Sequence, residues 1–210
     1  QCFVDGNETD TDKIPMTLNY GEEYTVSVNV GADMVRGFVN GEQIFQLGGE
    51  APATTFAGAA GFGHWSTEAY VDNLKVVSFT DGSVLYENTF DDASSLDDLK
   101  HDLATYSGGT YTGDPAVFEW EDGTLHQTDS SSTGVISYFG DTTWRNYIYS
   151  MDVMPVAGAE GASILGAINL DAPSYVLYNC GGWSNTKGCW QTFNAGTTDA
   201  YNDDGLDKSL

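Results

Sequence analysis

Glu119 and Glu121 flank Trp120 at alternate positions of one short stretch. Carboxylates two apart on a strand share a face, and retaining glycosidases need two carboxyl groups about 5–5.5 Å apart across the scissile bond. Asp122-Gly123 turns the chain at once, however, so this pair is not expected to be catalytic. His64, His101 and His126 have no Ser or Cys partner in a recognisable motif and are expected on the solvated surface. No P-loop, dinucleotide fingerprint or zinc motif is present. The sequence assigns no catalytic residue, and the expectation is a protein that is not an enzyme.

Recognition of sugars is the better-supported chemistry. Sugars lay their C–H faces on aromatic rings while amides and carboxylates bond their hydroxyls. Trp183 with Asn185, Trp190, Trp144 with Tyr147, and His64 with Trp65 offer that combination. The competing reading of each ring is core packing, the usual fate of an aromatic residue in a strand.

Two of the three cysteines lie in the stretch Asn179-Cys-Gly-Gly-Trp-Ser-Asn-Thr-Lys-Gly-Cys-Trp-Gln. Tyr175–Cys180 reads as a strand and Cys189–Phe193 as its return, which predicts a hairpin closed by a Cys180–Cys189 disulfide. Cys2 is then left over, or replaces Cys180 as the partner of Cys189. Asn7-Glu-Thr is a glycosylation sequon at Asn7.

The 210 residues include 31 acidic and only 7 basic side chains, a net charge of −24. Nucleic acid is excluded as a partner, because no basic stripe exists to displace counterions. An anionic membrane surface is repelled, and no apolar run reaches the length of a spanning helix. Such charge suits solubility in an extracellular or salty setting, or the holding of Ca²⁺ by acidic turns. Three cysteines favour an oxidising compartment with one pair and one remainder. A start at Gln1 without Met suggests a processed form or a piece of a longer chain.

The elements that must position these residues are strands. Tyr24, Val26, Val28 and Val30 alternate on one face, and Asn40-Gly41 signals a hairpin between Met34–Val39 and Gln43–Leu47. Tyr70–Phe79 is a strand with a polar interruption at Asp72-Asn73, and Thr80–Ser83 is a turn. Asp91–Leu103 holds the one plausible helical turn. Val117–Gln127 is two strands about Asp122-Gly123. Strands follow at Val135–Phe139, Tyr147–Val153, Ala162–Asn169 and Tyr175–Cys180. Many short strands with frequent turns predict a single all-β sandwich or jelly roll.

The motifs Phe118-Glu-Trp-Glu-Asp-Gly-Thr-Leu-His-Gln, Phe139-Gly-Asp-Thr-Thr-Trp-Arg-Asn-Tyr, Glu160-Gly and Gly181-Gly-Trp-Ser-Asn-Thr resemble the opening half of a concanavalin A-like β-sandwich. Tyr24-Thr-Val-Ser-Val-Asn-Val, Phe38-Val-Asn-Gly-Glu, Gly61-Phe-Gly and Tyr70-Val-Asp-Asn-Leu-Lys-Val resemble its closing half. The nearest likeness is the non-catalytic sandwich attached to bacterial α-L-arabinofuranosidases. The order is inverted: residues 1–79 carry the closing half, 80–83 a linker turn, and 84–210 the opening half of one fold. That order is explained by a circular permutation, by one period cut from a tandem array, or by completion with a neighbouring chain.

The resemblance implies an extracellular or cell-surface protein. It also implies a Ca²⁺ site where Asp72-Asn73 meets Glu87 or Asp91, with the acidic ends (Asp203, Asp204 and Asp207 beside Asp5, Asp10 and Asp12) as a second candidate. The favoured function is a structural subunit that polymerises head to tail with copies of itself. The alternative is a carbohydrate-binding module of a secreted glycoside hydrolase.

Overall fold

The structure is a computed structural model of the chain. It describes residues 3–4, 7–8, 14–32, 34–48, 56–101, 103, 117–131, 133–170 and 174–194. The side chains of residues 3–4, 7–8, 14, 47–48, 65, 133–135, 183, 189 and 191–194 lie outside the description.

Two short strands, β1 (Phe3–Val4) and β2 (Asn7–Glu8), pair with each other, and β3 (Ile14–Pro15) follows. The strictly alternating segment forms β4 (Tyr24–Val30), with Val26, Val28 and Val30 buried. Asn40 and Gly41, both at positive φ, turn β5 (Met34–Val39) into β6 (Glu42–Gly48) as the Asn-Gly signal requires. Next come β7 (Ala59–Trp65), β8 (Thr67–Ser78) and β9 (Val84–Asn88). The expected helical turn is a single 3-10 segment, Ala93–Asp98, capped by Asp92. The remaining strands are β10 (Phe118–Glu121), β11 (Thr124–Gln127), β12 (Thr133–Phe139), β13 (Tyr147–Gly158), β14 (Ala162–Asn169), β15 (Ser174–Gly181) and β16 (Lys187–Asn194).

Two antiparallel sheets face each other. The larger has the order β10-β11-β8-β13-β4-β5-β6, with β9 pairing beside β11 on the same edge of β8. The smaller has the order β12-β7-β14-β15-β16-β3. Between them Val28, Val71, Leu74, Tyr149 and Met151 meet Phe62, Ile164, Val176 and Tyr178 in one buried cluster. Leu165, Leu177, Ile136 and Tyr138 alternate with those inward residues and are buried with Leu103 in a second cluster. The smaller sheet is therefore covered on both faces, which is why β14 reads as a nearly unbroken apolar run.

The two expected halves interleave. β13 is inserted between β8 and β4, so a strand from beyond the Thr80–Ser83 turn is flanked by two strands that precede it. Among the described residues, strands from both sides of that turn pair within one sheet.

The expected hairpin is present as β15 and β16, but its connection contains one turn of helix, Gly182–Asn185. In the ladder Asn179, not Cys180, stands opposite Cys189. Cys180 is buried. Cys2 lies outside the described residues.

Candidate functional site

Asn73 breaks the alternation of β8. Val71 and Leu74 are both buried, although they are three residues apart, because Asn73 adopts a positive φ and inserts one extra residue opposite Met151. The bulge leaves Asp72 and Asn73 on the solvent side of the larger sheet. The polar interruption seen in the sequence is this bulge.

On that face the register builds two adjacent rows. One runs from Glu119 through His126 and Tyr70 to Met154. The other contains the paired Glu121 and Thr124 and the run Asp72–Asp152–Thr25. Tyr70 and Met154 of the first row and Glu121, Thr124, Asp72 and Asp152 of the second line a cleft of about 280 Å³, together with Glu23 and Asp122. That lies near the lower end of the size of small-molecule clefts.

Tyr70 and His126 stack face to face, their ring centroids 4.1 Å apart and their planes 17° from parallel. The Tyr70 hydroxyl donates to Glu121 Oε2 at 3.0 Å. His126 Nδ1 lies 2.7 Å from the same oxygen, and its Nε2 lies 3.1 Å from Glu68 Oε1. Both rings are thereby held in place by hydrogen bonds. The hydrogen bond to Glu121 pushes the Tyr70 hydroxyl up in pKa, helped by burial and by the nearby carboxylates.

The acidic row is held by neutral donors. Asp152 accepts from the Thr25 hydroxyl at 2.6 Å and from the Asn73 amide at 2.9 Å. Asp72 accepts from the Asn73 backbone N–H at 2.6 Å. Burial pushes the Asp72 carboxyl up, and Asp152 and Asp91 add to this, against the pull of the Asn73 N–H.

The residues singled out for sugar recognition lie elsewhere. His64 is fully buried between Phe62 and Phe118, with neither ring nitrogen hydrogen-bonded, contrary to its expected place on the surface. Its apolar surroundings lower its pKa from 6.5 to about 4. Tyr147 is also fully buried; its hydroxyl donates to the Ala59 carbonyl and accepts from Ala167 N–H. Trp190 is buried and packs on Phe45. Trp144 is half-buried over Gly140, where a Cβ would lie 2.1 Å from its ring. The Asn185 amide is occupied by Leu18, accepting from its N–H at 2.9 Å and donating to its carbonyl at 2.6 Å. Trp65 ends β7 and Trp183 sits in the helical turn; their side chains lie outside the description.

His126 is mostly buried rather than solvated, and His101 stacks on Phe118 and contacts Ser137. Of the proposed calcium ligands, Glu87 is bound to Lys75 at 2.6 Å and Asp91 accepts from Thr89. Among the described residues no three His, Cys, Asp or Glu side chains form a group able to hold a metal ion. The acidic ends lie outside the described residues, and so does the Asn7 side chain. No helix among the described residues is long and apolar enough to cross a membrane.

No family model matches the chain. Over 130 residues it is 28% identical to an extracellular exo-alpha-L-arabinofuranosidase of Streptomyces chartreusis. The match takes in 62% of this chain but spans only 14% of that protein's length.

Proposed function

We propose that this chain is a non-catalytic, carbohydrate-binding module of a secreted glycoside hydrolase, a concanavalin A-like sandwich whose halves run in inverted order. The observation that carries the reading is Tyr70, which stacks on His126 and lines a cleft rich in hydroxyl acceptors. A stacked ring is a platform for a sugar's C–H face, and Asp72, Asp152 and Glu121 are acceptors for its hydroxyls. The distant likeness to an extracellular arabinofuranosidase supports the same class and a place outside the cell. Glu121 is tied to Tyr70 and His126, which suits a binding residue better than a catalytic acid.

The self-assembling subunit draws no support from these strand pairings, which join both halves within the chain. Binding to neutral arabino-, xylo- and gluco-oligosaccharides, followed by calorimetry, tests the module. Tyr70→Ala is expected to abolish a weak interaction that Trp65→Ala and Trp183→Ala leave in place. Loss with either tryptophan variant but not with Tyr70→Ala would move the site to the other sheet.

A further inference from the structure

We propose that this cleft selects uncharged glycans and rejects chains carrying uronic acids; the inference rests on the glycan reading above. Glu23, Asp72, Glu121, Asp122 and Asp152 line the cleft, and no lysine or arginine joins them among the described residues. The nearby Lys75 is already engaged with Glu87, and both ring nitrogens of His126 are taken up by Glu121 and Glu68. A neutral sugar brings hydroxyl donors to these oxygens. A uronate brings one more acceptor-only anion, which meets no donor of opposite charge and is repelled by every carboxylate around it. Burial pushes the Asp72 carboxyl up, and the neighbouring Asp152 and Asp91 carboxylates add to it. Discrimination here comes from repulsion of the wrong ligand as much as from attraction of the right one.

The test compares neutral oligosaccharides with uronic acid-bearing ones of the same length. Measurements are made at about 0.01 M salt, where screening acts over about 30 Å, and at about 1 M, where it acts over about 3 Å. The neutral ligand is expected to bind at least about tenfold more tightly at low salt, and the gap should close at high salt. Glu23→Gln with Asp122→Asn should narrow the gap at low salt. Asp97→Asn with Asp98→Asn, on the 3-10 segment outside the cleft lining, should narrow it less. Equal affinities at low salt, or a gap that responds to the 3-10 pair as strongly as to the cleft pair, overturns the selectivity and leaves the glycan reading standing. Binding of neither ligand overturns that reading and the selectivity with it.

Discussion

Asp72 and Asp152 are direct cross-strand partners on the solvent face of the larger sheet, bridged by the side chain and backbone of Asn73. Like charges placed opposite each other cost roughly 0.2–1 kcal/mol. Burial first, and Asp152 after it, raise the Asp72 pKa, so the folded state carries a cost once the carboxyl ionises and is relieved as pH falls. Asp72→Asn keeps the acceptor for Asn73 N–H and removes the charge. At neutral pH it is expected to gain about 0.5 kcal/mol, or roughly 1–2 °C in melting temperature. In acid, where the wild-type carboxyl is itself protonated, the gain should vanish. Melting curves at both pH values decide the matter.

His64 makes the opposite contribution. Its folded pKa of about 4 lies below the unfolded 6.5, so between these values the unfolded chain binds a proton that the folded chain refuses. Stability therefore falls as pH drops from 6.5 to about 4, by about 3 kcal/mol on this account, and this contribution is flat outside that window. His64→Leu should flatten the dependence whatever its own stability at pH 7. Urea titrations across the window would show it, and an unchanged slope would remove His64 as the cause.

Asn185 holds Leu18 much as a neighbouring strand would, with one bond given and one accepted. Asn185→Ala removes both and is expected to cost about 2 kcal/mol. Asn185→Asp keeps the acceptor, loses the donor and should also be destabilised. Denaturant midpoints for the two variants provide the check; a neutral Asn185→Ala would leave the amide free for ligand duty.

The interleaved strands predict a particle of one chain that stays the same size on dilution. Light scattering over a wide concentration range, with negative-stain imaging, tests this. Filaments that dissolve into chains lacking the β8–β13 pairing would revive assembly through exchanged halves.

What was legible in the sequence was local. The alternation of Tyr24–Val30 and the turns at Asn40-Gly41 and Asp122-Gly123 depend on a few neighbouring residues, and the structure contains them as expected. The placement of His64 and Tyr147 was not legible. Alternation says which residues share a face but not what lies over it, and both belong to strands whose facing partners come from distant parts of the chain. The Tyr70–His126 stack was missed for the same reason. Its two rings meet only because β11 pairs with β8, and nothing near either residue announces that pairing. An outward aromatic beside Asp72 on one strand, and His126 alternating with Thr124 on another, were the available signals.

The insertion of β13 between β8 and β4 has a further consequence for the exposed turn at Thr80–Ser83. A protease that nicked the backbone there would leave two fragments, neither able to complete a sheet alone. They should travel as a single species in native gels and part only in denaturant. Mixed afresh, they should restore each other's structure, because the information that binds them is the same information that folds the intact chain.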